Sequence, residues 1–355
     1  MKSLLKHLSP FAPDQSGAVS ALFEFGGLIV ICDAGGCTGN ICGFDEPRWF
    51  TRPGAVFSAG LRDMDAILGR DDKLVAKLQA AMEDSDLAFS AIVGTPVPAI
   101  IATDFLALKR MAEKRTGRPA ITVATTGTHH YDRGASAAWV ELFRTFATER
   151  VPVKSGTVGV LGASPLDFSC VDAGTHLACA LENEGFRKVW CYGMGAGLDR
   201  VRTASSVERN LVVSPAGLAA AKYLEKTFGT PYEIRCPWLR LPARTLDALP
   251  RIAGSNVLVI HQQFAANAVR ECILSIHPGA RVTVASWFMM EPGYYMREGD
   301  FQIASEEAFV EAVESGGYDA IVCDERLRTA LPRSMRDGIF DFPHFAVSGR
   351  LIEEV

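Results

Sequence analysis

Short runs of β-branched and aliphatic residues recur along the chain, and most are followed by a turn signal and by a stretch whose apolar positions have helical spacing. This alternation is typical of α/β domains built on parallel sheets. The first part of the chain predicts strands at 28–31, 87–93 and 121–124, and helices at 73–82, 100–115 and 134–147.

The same pattern continues after residue 152, and a proline-rich stretch near residues 237–250 divides it once more. The middle part predicts strands at 157–162, 188–192 and 211–213, with helices at 172–184 and 217–228. The last part predicts strands at 256–260, 282–285 and 320–323, with helices at 264–276 and 305–315. We therefore expect three Rossmann-like α/β domains with parallel sheets, over residues 1–152, 153–250 and 251–355.

Composition narrows the class of protein. Hydrophobic residues make up 48% of the chain and charged residues 22%, which is ordinary for a globular enzyme. The net charge of -5 offers no basic field for nucleic acid, so no nucleic-acid partner is expected. The longest apolar run, at 28–32, is far shorter than a membrane span, and no signal peptide follows residue 1. These features predict a cytoplasmic protein without a membrane partner.

Three cysteines fall within eleven residues. Cys32, Cys37 and Cys42 have the spacing C-x4-C-x4-C in a glycine-rich segment that follows the first strand. In a reduced compartment such a group favours a metal site over a disulfide. A zinc site and a glycine-rich turn with incidental thiols are the alternatives. The scattered cysteines are predicted to be small buried hydrophobes, as free cysteine usually is; they are Cys170, Cys179, Cys191, Cys236, Cys272 and Cys323.

The segments 31–37, 57–74, 210–232 and 342–348 together carry a resemblance. In this order they resemble the nitrogenase component 1 superfamily, which includes molybdenum-iron protein subunits, cofactor-assembly scaffolds and dark-operative protochlorophyllide reductases. The resemblance extends over the whole chain. The chain departs from the family pattern because no cysteine precedes Cys32 and none lies directly after the strand that ends near Val93. The chain is also shorter than nitrogenase subunits, and no residue matches the cysteine and histidine that hold the iron-molybdenum cofactor, so dinitrogen reduction is not the expected activity.

The resemblance implies a homodimer with an iron-sulfur cluster at or near the subunit interface. Of the three cysteines, Cys37 alone matches the family motif, and we expect Cys32, Cys37 and Cys42 of both protomers to be the ligands. Six thiolates suit one bridging eight-iron cluster or two 4Fe-4S clusters. Asp33 and Asp45 are candidate oxygen ligands by analogy with one branch of the family, although such residues more often cap turns.

The resemblance also implies the partners. The chain has no G-x4-G-K-[ST] motif, so an ATP-hydrolysing iron-sulfur reductase is expected to deliver low-potential electrons. The predicted function is that of the catalytic component of a nitrogenase-like reductase acting on an unknown small-molecule substrate. A cluster or cofactor assembly scaffold without turnover is the alternative. A metal-free binding protein with the same fold is a third possibility.

Three further segments have candidate chemistry. His129 and His130 follow a strand at the edge where parallel sheets place ligands, and either is a candidate proton donor, the alternative being a surface or hydrogen-bonded histidine. The residues 44–50 combine aromatic and charged side chains and face either substrate, an electron donor or solvent. The glycine turn 193–197 resembles a nucleotide-binding turn only weakly, because its spacing is incomplete.

Overall fold

The structure, a computed structural model, describes residues 5–83, 85–252, 256–294 and 296–352. In these ranges the named strands form three sheets in which every pairing is parallel, which confirms the predicted α/β class. Each sheet takes its strands from one of the three predicted segments, and the exact domain boundaries stay predictions. No helix in the described ranges has both the length and the apolar composition needed to cross a bilayer.

The first sheet has four strands in the order β2-β1-β3-β4. Its central strand β1 is buried at all four positions, and successive side chains point to opposite faces. The strands are β1 (Leu28–Ile31), β2 (Ala55–Ser58), β3 (Ser90–Val93) and β4 (Ala120–Val123). The helices of this segment are α1 (Asp14–Leu22), α2 (Gly36–Asn40), α3 (Asp63–Leu68), α4 (Asp71–Glu83), α5 (Pro96–Ile100), α6 (Phe105–Thr116) and α7 (Tyr131–Phe146).

The second sheet also has four strands, in the order β6-β5-β7-β8. Its last helix begins with Pro215 at the first helical position and ends at Gly229, which adopts a left-handed conformation with φ 78°. The strands are β5 (Lys154–Leu161), β6 (Lys188–Cys191), β7 (Val207–Val212) and β8 (Tyr232–Ile234). The helices are α8 (Pro165–Phe168), α9 (Ala173–Asn183), α10 (Leu198–Arg202) and α11 (Pro215–Phe228).

The third sheet has five strands in the order β11-β10-β9-β12-β13. Two of them, β11 and β13, are short edge strands that the sequence pattern does not predict. The strands are β9 (Asn256–Ile260), β10 (Arg281–Ser286), β11 (Phe301–Gln302), β12 (Ala320–Cys323) and β13 (Ile339–Asp341). The helices are α12 (Ala243–Ala248), α13 (Gln263–Ile276), α14 (Glu306–Gly316) and α15 (Phe345–Ser348).

Helix α1 is absent from the sequence prediction, and burial explains why. Every residue of α1 is buried, so the helix has no solvent-exposed face and no amphipathic pattern to detect. It crosses α7 at two glycines. A Cβ on Gly17 would lie 1.8 Å from the Tyr131 carbonyl oxygen, and a Cβ on Gly134 would lie 1.8 Å from the Asp14 carbonyl oxygen. Only glycine permits this close approach of the two backbones.

A buried polar cluster joins the three sheet segments. The Tyr131 hydroxyl, from α7, donates to Asp167 Oδ1 of α8 at 2.5 Å and lies 3.0 Å from His344 Nε2, just before α15. The His344 ring stacks on His261 with centroids 4.0 Å apart. Burial raises the pKa of Asp167 to about 8 and lowers the pKa of His261 to about 3. The cluster is therefore neutral in the folded protein near pH 7.

We expect Asp167 to make stability depend on pH. Its folded-state pKa lies above the ordinary value of 3.8, so its contribution is complete below about pH 4 and is lost as pH rises through about 8. In Asp167→Asn this dependence is absent. Between about pH 5 and pH 8 the wild type should lose roughly 3 kcal/mol of unfolding free energy relative to the variant. Thermal and urea unfolding at several pH values measure the difference.

The matched control is Asp199→Asn, because the Asp199 side chain is 91% exposed. Its stability profile should run parallel to that of the wild type. Parallel profiles for Asp167→Asn as well would show that the Asp167 carboxyl has an ordinary pKa in the folded state.

Candidate functional site

The cysteine segment is helical. Gly35 has φ 125° and starts the short helix α2, which runs directly into a π-helical turn at Ile41–Asp45. Of the four glycines in the segment, only Gly35 has positive φ. The segment is therefore helical and not the glycine-rich turn of one alternative, since helical hydrogen bonds continue through Gly36, Gly39 and Gly43. Short π-helical turns occur frequently at functional sites.

Asp33 fixes the start of this segment. Its buried carboxylate accepts hydrogen bonds from the Thr38 backbone N–H at 2.8 Å and from the Thr38 hydroxyl at 3.0 Å. It also accepts one from the Ser58 hydroxyl at 2.6 Å, at the end of β2. Three donors satisfy the carboxylate, so Asp33 orients the helical segment on the sheet edge. Asp33 therefore caps the helical segment, and its carboxylate oxygens have fewer lone pairs available to bind a metal.

Cys32 extends β1 and is buried with 2% of its surface exposed. It shares a hydrophobic cluster with Leu28 and Val30 on one face of the sheet. Cys37 and Cys42 contact a different cluster, which contains Ile29 and Ile31 from the opposite face. Burial, followed by the nearby carboxylates, raises the pKa of Cys32 to about 12. Its predicted role as a ligand stays a prediction, and this geometry separates it from the other two thiols.

Cys37 and Cys42 are both half-buried. Burial raises the pKa of each thiol, with Asp33 contributing to both shifts. The Thr95 hydroxyl donates to the Cys32 carbonyl at 2.8 Å, and Thr95 also hydrogen-bonds with Cys37. Thr95 follows β3, so Cys37 lies at the carboxyl edge of the central strands. A Cβ added to Gly36, Gly39 or Gly43 would meet no atom within 4 Å, so open space flanks the two thiols.

A single chain does not provide a complete ligand set. In the ranges that the structure describes, no group of three or more His, Cys, Asp or Glu side chains could hold a metal ion. Asp45, the other candidate oxygen ligand, accepts a hydrogen bond from the Ser16 hydroxyl at 2.7 Å and has a pKa raised by burial. Cys37 and Cys42 are the two partly exposed thiols of the segment. Thiolates suit iron-sulfur clusters, which usually need four of them, so the residues present fit half of such a site.

The two predicted histidines point in different directions. His129 is exposed, with its Nδ1 3.3 Å from the Thr126 hydroxyl and 3.7 Å from the Asp14 carboxylate. The His130 ring contacts Phe11 and Phe288, with centroids 5.8 and 5.3 Å apart, and burial lowers its pKa. Both follow β4, which is two strands from β1. Their loop therefore lies about 10 Å along the edge from the cysteine segment.

The six scattered cysteines differ in burial. Cys170, Cys191 and Cys323 are buried, as predicted, and Cys236 is half-buried. The prediction is wrong for Cys179 and Cys272, which are exposed. Cys179 lies on α9 between Leu177 and Leu181, which face the core. Two residues along a helix correspond to about 200° of rotation, so the Cys179 side chain faces solvent.

Exposed apolar side chains surround the cysteine segment. They belong to the chain that follows β1, β2 and β3, so the parallel topology puts them at one edge of the first sheet. We call this set the apolar edge surface. Exposed apolar side chains gathered at one edge of a sheet are typical of an interaction site. Its members are Phe44, Phe50, Met64, Ile67, Leu68, Val97, Ile100 and Ile101.

Sequence reasoning missed two residues of the site. Thr95 contacts both Cys32 and Cys37 only because β3 pairs with β1, and no spacing in the sequence indicates this contact. Arg48 was noted only as part of a charged and aromatic loop, yet it is fully buried and ion-paired with Glu46 at 2.7 Å. The sequence signal that could have indicated this ion pair is Glu46-Pro47-Arg48, two opposite charges on either side of a proline just after the cysteines.

Comparison with known proteins assigns the chain to a family. Residues 14–271 match the model of the family described as nitrogenase component 1 type oxidoreductase. The match extends over more than half of the chain, so the chain belongs to this family, and the predicted resemblance is confirmed. Its members are redox proteins by description, which makes this chain a nitrogenase-like catalytic or scaffold protein.

Two solved structures share the fold. The one described as Nitrogenase Cp1 at pH 6.5 superposes with a TM-score of 0.72 at 12% identity and covers 96% of this chain and 87% of its own. The one described as Nitrogenase Cp1 at pH 5 has a TM-score of 0.65 at 14% identity, with coverages of 91% and 81%. At these identities the likeness establishes the fold alone.

The exposure of the thiols predicts an order of chemical labelling. In chelator-treated, reduced protein, we expect iodoacetamide to modify Cys37 and Cys42 before Cys32, because Cys32 is buried and has a pKa of about 12. Mass spectrometry of tryptic peptides at successive times measures each rate.

Two other cysteines calibrate the labelling rates. Exposed Cys179 sets the fast limit, and buried Cys323 sets the slow limit. Labelling of Cys32 at the rate of Cys37 would contradict the separation of the thiols described above.

Proposed function

We propose that this protein is the catalytic component of a nitrogenase-like reductase that holds an iron-sulfur cluster at a homodimer interface. Cys37 and Cys42 of each protomer are the proposed ligands, so two copies supply four thiolates. Four thiolates match a 4Fe-4S cluster better than the eight-iron alternative, because buried Cys32 lies on the other face of the sheet. When bound, the cluster would supply one-electron transfer.

One observation carries this proposal. The two half-buried thiols, Cys37 and Cys42, lie within the apolar edge surface and have open space beside them. The apolar edge surface is stabilised when it is buried, and a cluster bound by Cys37 and Cys42 needs further ligands. A second copy related by a two-fold axis meets both, since an isologous interface brings the same residues together. The family membership supports the redox character of the site.

The histidine loop is the proposed source of protons. His129 is exposed at the same sheet edge and contacts the Thr126 hydroxyl, so its imidazole can exchange protons with solvent and substrate. His130 packs between Phe11 and Phe288 with a lowered pKa, so it is neutral at pH 7 and serves the packing. The substrate is a small molecule that accepts electrons and protons near this edge.

Electrons would come from a separate protein. We propose an ATP-hydrolysing iron-sulfur reductase as the donor, in keeping with the family and with the absence of a phosphate-binding loop motif in the sequence.

A cluster assembly scaffold is the second candidate. The open space beside Gly36, Gly39 and Gly43 favours it, because a cluster with an uncovered side can be passed to an acceptor protein. Substrate-dependent turnover with reductase and ATP supports a catalyst, whereas transfer of iron to an acceptor without turnover supports a scaffold.

We predict that anaerobically reconstituted protein binds about four iron atoms per dimer, and that Cys37→Ala loses most of this iron because it removes two of the four proposed thiolates. Iron and sulfide analysis, with the absorption spectrum, measures the content. Cys179→Ala is the control, since Cys179 is exposed on α9, and its iron content should equal that of the wild type. Undiminished iron in Cys37→Ala would remove the proposed ligand set.

We also predict that Ile67→Asp weakens the dimer at least about tenfold, because it introduces a charge into the apolar edge surface, where Ile67 is 74% exposed. Sedimentation analysis at several protein concentrations measures the dissociation constant. Leu246→Asp is the matched control, because Leu246 is exposed on α12, far along the chain from this surface. Equal dissociation constants for all three proteins would place the interface elsewhere.

A further inference from the structure

Arg48 is the most completely buried charge near the cysteine segment, with no exposed surface. Its Nε and Nη2 donate to the Glu46 carboxylate at 2.7 and 2.8 Å. Its Nη2 also donates to the Ser20 carbonyl at 2.7 Å. Its Nη1 donates to Glu24 at 3.1 Å and to the Gly193 carbonyl at 2.9 Å. The planar guanidinium therefore joins three parts of the chain at fixed angles.

Glu46 connects Arg48 to the π-helical turn that carries Cys42. The Glu46 backbone N–H donates to the Ile41 carbonyl at 2.8 Å and closes that turn. The Glu46 carboxylate is 2% exposed and accepts from both the side chain and the backbone N–H of Arg48. Cys37 has a separate anchor, the Asp33 carboxylate. A different buried carboxylate thus fixes the backbone near each of the two cysteines.

The glycine turn 193–197 of the middle segment completes the arrangement. The Gly195 backbone N–H donates to Glu24 at 3.0 Å, and Glu24 also accepts from Arg52 at 2.9 Å. Arg52 in turn pairs with Asp172, at 2.5 Å. The turn that resembled a nucleotide-binding loop therefore uses one of its N–H groups and one of its carbonyls to fix the chain after Cys42. The Gly195 N–H and the Gly193 carbonyl are therefore already hydrogen-bonded within the protein.

Stability alone is a weak reason to bury such a network. Removing a guanidinium and several carboxylates from water costs free energy that their mutual attraction barely offsets, and apolar side chains of similar volume stabilise a core equally well. The network instead fixes orientation, because the five N–H groups of the planar Arg48 guanidinium determine where each acceptor lies. We propose that Arg48 is a positioning residue that sets the place of Cys42 in the cluster site. This inference rests on the function proposed above.

Hydrogen exchange tests the positioning in metal-free protein. In Arg48→Lys the charge remains, but an ammonium group cannot reach all four acceptor residues at once. We expect amide exchange in the peptide containing residues 41–46 to rise about tenfold, while exchange in the peptide containing residues 33–38 stays within twofold. If Arg48→Lys does not fold, Glu24→Gln provides the same comparison, because it weakens one acceptor of the network.

Arg270→Lys is the matched control, since Arg270 is also fully buried and pairs with Asp300 at 2.7 Å in the third sheet segment. It should lower the melting temperature without changing exchange at residues 41–46. Equal exchange in Arg48→Lys and the wild type, or an equal rise at both peptides, would overturn the positioning role.

The reconstituted protein provides a second readout. We expect Arg48→Lys to keep bound iron but to shift the electron paramagnetic resonance g values of the reduced cluster, because Cys42 is displaced. Unchanged g values would also overturn the inference. Absence of iron from the wild type would refute the proposed function instead, and the exchange experiment would still report on the anchoring of the Cys42 turn.

Discussion

The close contact between α1 and α7 is the constraint on which both groups of candidate residues depend. It exists because Gly17 and Gly134 have no Cβ, which lets the two helix backbones approach more closely than any larger residue would allow. From this buried position α1 reaches the cysteine segment through the Ser16 hydroxyl, which donates to Asp45, and through Ser20, which accepts from Arg48. A larger side chain at either glycine would displace the helix, and with it the chain around the cysteines.

The same helix also holds the histidine loop. The Asp14 carboxylate, at the start of α1, accepts hydrogen bonds from the backbone N–H groups of Thr126 and Gly127 at 2.9 and 2.7 Å. The loop that carries His129 is therefore fixed relative to the cysteine segment by one short helix. This helix therefore fixes the distance between the proposed proton donor and the proposed cluster site, which a reaction that combines protons and electrons requires.

The cysteine segment and the junction of the three sheet segments differ in how their buried ionisable groups are charged. Near the cysteines, Arg48 and Glu46 are fully buried and satisfy one another, so the local backbone is rigid. At the junction of the three sheet segments, Tyr131, Asp167 and His344 are equally buried but are neutral near pH 7, because burial without a counter-charge favours the uncharged forms. The first arrangement fixes geometry, and the second connects segments without burying net charge.

The sequence by itself determined the α/β class, the three parallel sheets and most strand positions, because apolar runs such as 28–31 and 256–260 are local signals of buried parallel strands. It also located the cysteine segment, since spacing is visible in one dimension. Only the tertiary structure decided that α1 is a helix, that Cys32 and Cys37 pack with different hydrophobic clusters, and that Thr95 and Arg48 lie at the candidate site. These facts depend on strand pairing and on side-chain packing between segments that are distant in the chain, and no local pattern encodes such contacts.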